Sequence, residues 1–277
     1  MITYNQEKFI GQAIESVLMQ QVNFHYEIVI GEDSSTDKTT EIVKKYAEKY
    51  PERINALLHP HNLGLQGKNN FIATFKACRG QYIALLEGDD YWTSPQKLQI
   101  QVDFLDKYLE CAICFHNVLE IYEENSHTPW NYCSPTQKEI SMLEDLLYRN
   151  FIPTCSVLFR NHLFEELPEW FSKPKMGDWL IHILNAQYGN IGYINKVMGC
   201  HRIHSDAIWH SRPLIDQLLD TIEAYEIFDT YFHNNLQYRK IIQSMISKHY
   251  LTIAKEYEKI DNLEASHIYF KKAEAVK

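Results

Sequence analysis

Basic residues are outnumbered in this chain: 27 Lys and Arg stand against 36 Asp and Glu, a formal net charge of −9. That balance sets aside broad electrostatic binding of nucleic acid. No apolar run approaches the roughly 20 residues that a bilayer-spanning helix needs, and no signal-peptide pattern is visible. The six cysteines, Cys78, Cys111, Cys114, Cys133, Cys155 and Cys200, are scattered. Cys111 and Cys114 form a C-x-x-C spacing inside ECAICFHN, which reads as a strand; alternation puts positions three apart on opposite faces, a poor arrangement for shared ligation. Buried free thiols in a reducing compartment are the expectation, with a cytoplasmic location and peripheral attachment at the inner face of a membrane as an option. A Gly- and Lys/Arg-rich triphosphate loop is also missing after the first strand, which offers Thr3, Tyr4 and Asn5 instead.

At 277 residues the chain has enough length for one sizeable core, or one domain with an appendage. Aromatics are plentiful, with 18 Tyr, 13 Phe and 5 Trp, suited to core and to pocket walls alike. MITYNQEKF reads as the end of a strand only about three residues long, short enough to suggest that the sequence begins inside strand one. Apolar residues at helical spacing predict a helix over 6–20, then a strand over 26–31, a helix from Thr39 to Tyr50 and a strand in INALLHP. A Gly-bearing loop and helix lead to the apolar strand of QYIALLEGDD. A helix over 96–108 and a strand in CAICFHNVLEIY follow, then a loop over 125–138, a helix over 140–148, a strand in TCSVLFRN and a helix in HLFEELPEWF broken by Pro168. Asp178 opens a helix that Gly189 ends, IGYINKVMGCHR forms one or two strands, and beyond Pro213 the chain is helical. Alternation of this kind argues for an α/β fold with a mainly parallel sheet, whose ligands gather beyond the carboxyl ends of the strands.

Those ends carry polar residues: Thr3-Tyr4-Asn5, Glu32-Asp33 and Glu87-Asp89-Asp90. The last group lies in ALLEGDDYWTSPQKL, where an apolar strand runs into three carboxylates within four positions. Like charges this close raise one another's pKa values unless a cation intervenes. Hard divalent ions such as Mg²⁺ or Mn²⁺ take oxygen ligands and sit between carboxylates and phosphates. The bland alternative is a solvated acidic turn; the convergence of three strand ends weighs against it.

The segments TYNQEKFI, EIVIGEDSSTDKT, NLGLQGKNN, LLEGDDYWTSPQKL, GDW and CHRIHSD occur in the order found in glycosyltransferase family 2, and the chain resembles that inverting, GT-A-fold family from Met1 to Trp209. The resemblance implies a nucleotide-diphosphate-sugar transferase with a Rossmann-like mixed sheet, a GT-A domain over 1–212 and a helical region over 213–277. It implies that Thr3, Tyr4 and Asn5 line the nucleotide site and that Asp33 hydrogen-bonds the base, with Glu32 as its neighbour. Lys68, in a Gly-bearing loop, is a candidate for contact with the donor, with a solvated surface Lys as the alternative. The family's D-x-D element matches Glu87-Gly88-Asp89. Asp89 then ligates Mn²⁺ or Mg²⁺, Asp90 is the alternative ligand, and Glu87 reaches the ribose or a metal-bound water. The late R-x-H element gives Arg202 to donor phosphates or to fixing the loop, and His204 to the cation; Trp209 covers the site. Asp178 matches the general base that takes the acceptor proton, with an N-cap role as the structural alternative.

Past Pro213 the resemblance fades. HYLTIAKEYEKIDNLEASHIYFKKAEAV reads as two amphipathic helices around Asp261-Asn262, with Ala254, Tyr257, Ala265, Tyr269 and Ala273 at packing positions as in one tetratricopeptide unit. It is expected to pack as an appendage or to offer a surface to a membrane or assembly partner. The resemblance implies a glycan, lipid-linked or protein-linked acceptor. A nucleotidyltransferase and a non-catalytic scaffold of a polysaccharide assembly system are the competing readings.

Overall fold

In the computed structural model, residues 1–123, 127–174, 176–205 and 212–276 are described. The first half is built from β1 (Ile2–Thr3), α1 (Ile10–Leu18), β2 (Ile28–Glu32), α2 (Thr39–Lys49), β3 (Ile54–Leu58) and α3 (Lys68–Ala77). β4 (Tyr82–Ala84), β5 (Tyr91–Trp92), α4 (Lys97–Lys107) and β6 (Cys111–Tyr122) come next. β1, β2 and β3 form a parallel sheet in that order. α1 covers it with Ile10, Ala13, Ile14 and Val17, one buried stripe at helical spacing. All five residues of β2 are buried, as a strand flanked on both sides and covered on both faces should be. Residues 6–9, expected as the first turn of α1, form a turn instead.

The second half adds β7 (Trp130–Asn131), β8 (Ile140–Ser141), α5 (Leu143–Tyr148), β9 (Leu158–Arg160), α6 (Asp178–Asn185) and β10 (Asn190–Ile203). β4, β9, β6, β10 and β5 are neighbours in that order, with β7 on β6 and β8 on β10. Pairing here is mostly antiparallel, and only β6 and β10 run parallel. The sheet is therefore mixed, not mainly parallel: β9 returns beside β4 and β5 doubles back on β10, connections that need no crossover helix. Two expected helices change accordingly. Ile140 and Ser141 belong to β8, and residues 162–167 are irregular, the helical turn coming only after Pro168, at Glu169–Ser172. A parallel bridge from Ile2 to Glu87 joins the two sheets edge to edge.

Two hydrophobic clusters sandwich this surface. One joins α1, α2 and α4 to the sheet through Ile14, Ile30, Val43, Leu98 and Leu105. The other joins α5 and α6 to α7 (Leu214–Tyr231) and α8 (Leu236–Lys259) through Leu146, Trp179, Tyr225, Phe228 and Ile242. Trp179 meets Tyr225 and Phe228 edge-on at 4.9 and 5.1 Å, and the Tyr225 hydroxyl donates to Leu147 O at 2.8 Å. α9 (Leu263–Ala275) pairs with α8 as the expected helical hairpin, and Tyr257 stacks on Tyr269 at 5.6 Å. All six cysteines are free. No described helix is long and apolar enough to cross a membrane.

β2 meets α3 too closely for a side chain at Gly31. A Cβ there would sit 2.0 Å from Thr74 Oγ1 and 2.1 Å from Asn70 Oδ1. Gly31→Ala is expected to lower stability to denaturant by about 1–3 kcal/mol, the usual cost of overpacking. A denaturation midpoint equal to wild type would show that the contact is not tight.

Candidate active site

The carboxyl ends of β1 and β2 and the bridge at Glu87 lie side by side, so the loops that follow them meet. They are sewn together through backbone groups. Asn5, at φ 52°, takes the left-handed conformation that Asn tolerates better than most residues. Its carboxamide oxygen accepts Thr36 N–H at 2.8 Å, and its own N–H donates to Ser35 Oγ at 3.0 Å. Thr3 is buried and donates to Gln6 Oε1 at 2.8 Å, while Tyr4 is exposed. Asp33, almost fully buried, accepts Leu63 N–H on Oδ1 at 2.8 Å. Glu32 is occupied by its own loop. Fully buried, it accepts the N–H groups of Ser34 and Ser35 at 3.2 and 2.8 Å, so it shapes the loop that carries Asp33.

Gly88 lets the acidic segment approach this loop: a Cβ would lie 2.4 Å from Gln6 Oε1 and 2.7 Å from Thr3 Oγ1. Glu87, Asp89 and Asp90 then bring one carboxylate oxygen each to within 4.8 Å of one another. Burial, followed by the Asp89, Asp90 and Asp178 charges, pushes the Glu87 carboxyl well above its usual range. Asp90 is pushed up to about 6, by burial first; nearby His201 opposes the rise and Asp89 adds to it. Asp90 Oδ1 accepts Arg202 N–H at 2.8 Å, whereas Oδ2 is buried without a hydrogen-bond partner. His204 Nε2 lies 3.1 Å from Asp89 Oδ2. Crowded carboxylates, an orphaned acidic oxygen and an adjacent imidazole make a donor set that fits a hard divalent cation.

Arg202 takes the second of its two expected parts, fixing the loop, and Lys68 is held by the protein's own carbonyls. The Arg202 guanidinium is buried between the rings of Phe9 and Tyr91, 4.9 and 4.5 Å from their centroids. Nε donates to Glu123 Oε1 and Nη1 to Asp89 O, both at 2.6 Å, and Nη2 donates to Gln12 Oε1. Each of its nitrogens thus makes one bond to the protein, and Arg202 fixes the loop. Lys68 is not a solvated loop residue. It opens α3, is buried over the Phe171 ring at 4.9 Å, and donates to Phe171 O at 3.2 Å and to Met176 O. Burial lowers its pKa to about 8, against the pull of Asp178. Lys68 therefore anchors the segment leading into α6.

Asp178 is the first residue of α6, with Gly177 at the N-cap, and its side chain makes no capping bond. The capping role is set aside. Two residues that the sequence did not single out, Asn150 and Thr154, hold its Oδ2 at 2.9 and 3.3 Å. Oδ1 has no partner among the described residues. Gln12 and Glu123 were likewise invisible, because nothing in a helix pattern or a strand end names the partner of a distant Arg. Asp206 and Trp209 lie outside the described residues.

Behind the acidic group, Lys97 is fully buried 3.9 Å over the Trp92 ring, and its ammonium has no hydrogen-bond partner. Trp92 Nε1 donates to Cys155 O at 2.8 Å, and the Cys155 thiol is raised by burial and by the Asp90 charge beside it.

Two sheets joined at the acidic turn, with helices on both faces, make the GT-A fold. The chain matches the model of glycosyl transferase family 2 over residues 1–167, and it belongs to that family. An uncharacterized protein of Mycobacterium tuberculosis is 37% identical over 211 residues, which are 76% of this chain and 59% of that relative. The fold is shared with residues 1–349 of Staphylococcus aureus TarS in complex with UDP-GlcNAc, at TM-score 0.61 and 16% identity over 98% of this chain and 89% of that one. It is shared too with the mannosyltransferase PcManGT of Pyrobaculum calidifontis in complex with GDP-Man and Mn²⁺, at TM-score 0.62 and 13% identity over 100% of this chain and 74% of that one.

Lys97 supplies a pH test of the packing behind the site. Burial lowers its pKa from 10.5 to about 7, with Cys114 and Cys155 opposing. The unfolded chain therefore binds more protons between those two values, and this residue's contribution makes stability rise with pH across that window. Lys97→Met removes the cost of the buried charge and is expected to melt higher than wild type at pH 7, with the gap narrowing as the pH is raised toward 10. A gap that widens with pH in thermal melts would show that Lys97 is not held in an apolar site.

Proposed function

We propose that this chain transfers a sugar from a nucleotide-diphosphate sugar to a hydroxyl of a glycan, lipid-linked or protein-linked acceptor, with inversion by single displacement. The observation that carries the reading is the meeting of the Glu87, Asp89 and Asp90 carboxylates at the strand ends, with Asp178 near enough for its charge to act on Glu87. A glycosyl transfer needs a place for a leaving diphosphate and a base for the incoming hydroxyl, and the two sets of carboxylates serve those separate needs.

On the donor side, Thr3, Tyr4 and Asn5 flank the nucleotide, and the remaining capacity of Asp33 serves the base. Asp89, Asp90 and His204 would hold Mn²⁺ or Mg²⁺, and Glu87 would reach the ribose or a water on the ion. A divalent cation bound there supplies neutralisation of the charge that grows on the leaving diphosphate. The structure of PcManGT with GDP-Man and Mn²⁺ supports the choice of ion. On the acceptor side, Asp178 takes the proton. Its Oδ2 is fixed by Asn150 and Thr154 while Oδ1 stays open, which leaves one oxygen aimed by the other. Attack from the face opposite the leaving diphosphate inverts the anomeric centre.

Asp178→Asn keeps the size of the side chain and removes the basic oxygen. Transfer is expected to fall by about 10²–10⁴ in kcat, with nucleotide affinity retained, because the proton moves only in the transition state. Melting temperature should change little, since no capping bond is lost. Nucleotide-diphosphate release by the two proteins under donor saturation, with their UDP or GDP affinities, checks this; wild-type turnover in the folded variant would remove Asp178 as base.

A further inference from the structure

A cavity of about 560 Å³ has walls that include Asn117, Asn131, Tyr132, Arg149, Tyr193 and Asn195. Two of these walls connect to the base. Arg149 precedes Asn150, whose amide holds Asp178. Tyr132 lies with its ring 6.5 Å from that of His201, edge-on, and its hydroxyl is raised by burial and then by the Asp178 charge.

The lining is rich in donors and, among the described residues, holds no carboxylate. Asn117 Oδ1 accepts Val118 N–H at 3.0 Å and Cys133 N–H at 2.9 Å, which fixes the orientation of the amide and leaves its NH₂ without a partner among the described residues. Asn195 Oδ1 accepts the Tyr193 hydroxyl at 3.2 Å, again leaving the NH₂ without a partner among the described residues. Arg149 is exposed and makes no ion pair or hydrogen bond among the described residues, in a chain with an excess of acids. Where β10 slips its register against β6, between Ile194 and Val197, the strand pushes Asn195 out to the cavity rim. Amide donors, two tyrosine rings and one uncommitted guanidinium suit a ligand with many hydroxyl acceptors and a negative group.

We propose that this cavity is the acceptor subsite and that the acceptor is an anionic sugar chain, whose phosphate or carboxylate is held by Arg149 while a hydroxyl is presented to Asp178. The proposal rests on the reading of Asp178 as the base. Tyr132 and Tyr193 give the sugar its apolar contacts, and the amides of Asn117 and Asn195 meet its hydroxyls. The same guanidinium accepts a phosphodiester or a uronate.

The test titrates three probes onto the full chain in the presence of UDP and Mn²⁺: an oligomer of glucuronic acid, an oligomer of glycerol phosphate and a neutral malto-oligosaccharide. At least one anionic probe is expected to bind about tenfold or more tighter than the neutral one, the scale of a charge-assisted hydrogen bond. In R149Q that preference should collapse while affinity for the neutral probe holds. Which anionic probe is favoured distinguishes uronate from phosphate. Equal binding of all three probes, binding of none, or a preference that R149Q leaves intact would overturn the proposal. UDP binding is measured first on the same protein. Its absence alongside an Arg149-dependent anionic preference would count against the donor reading and not against the cavity.

Discussion

Three carboxylates within 4.8 Å of one another are an unfavourable arrangement that the fold holds in place. The restraint comes from Arg202. Its backbone N–H binds Asp90 and its guanidinium binds the carbonyl of Asp89, Glu123 at the end of β6, and Gln12 on α1. One side chain thereby ties the acidic turn to elements from both halves of the sheet. The short pairing of β5 with Gly199 and Cys200 brings this about, because it sets Asp90 next to the strand that continues into Arg202. A buried guanidinium with each nitrogen bonded to a different partner is a rigid brace, and rigidity is what a cation site needs when its own ligands repel one another.

The acceptor side is built from different material. Asp178 arrives from α6, and its position is set by Asn150 and Thr154 in front, by the Lys68 ammonium under the preceding segment, and by Trp179 locked against α7 behind. The C-terminal helices therefore have a definite mechanical part. Through Tyr225 and Phe228 they bury the back of the helix that begins at Asp178, so α6 lies in a continuous core. The proposed metal ligands and the proposed base are thus supported by separate scaffolds that meet at Glu87.

Periodicity made much of this legible. The stripe of α1, the run of β6 from Cys111 to Tyr122, the start of α6 at Asp178 and the hairpin of α8 and α9 all follow from local patterns of 3.6 or 2 residues. The convergence of Asn5, Asp33 and Asp89 followed from strand ends. Pairing direction did not, because β9 and β5 are short and nothing in their composition says which neighbour they return to. Partner choice was equally hidden. Arg202 and Lys68 have side chains long enough to reach either a ligand or the protein's own carbonyls, and only tertiary packing decided for the protein. Asn150 lies in irregular chain and Thr154 opens a single 3-10 turn, and neither residue type carries a signal of its own there.

The account turns on a cation joining the acidic turn to a nucleotide, and calorimetric titration of UDP or GDP measures that most directly. With Mn²⁺ present, one of the two nucleotides should bind, and binding should vanish when the ion is chelated or Asp89 is replaced by Ala. Equal nucleotide affinity in Mn²⁺ and in chelator, unaffected by Asp89→Ala, would contradict it.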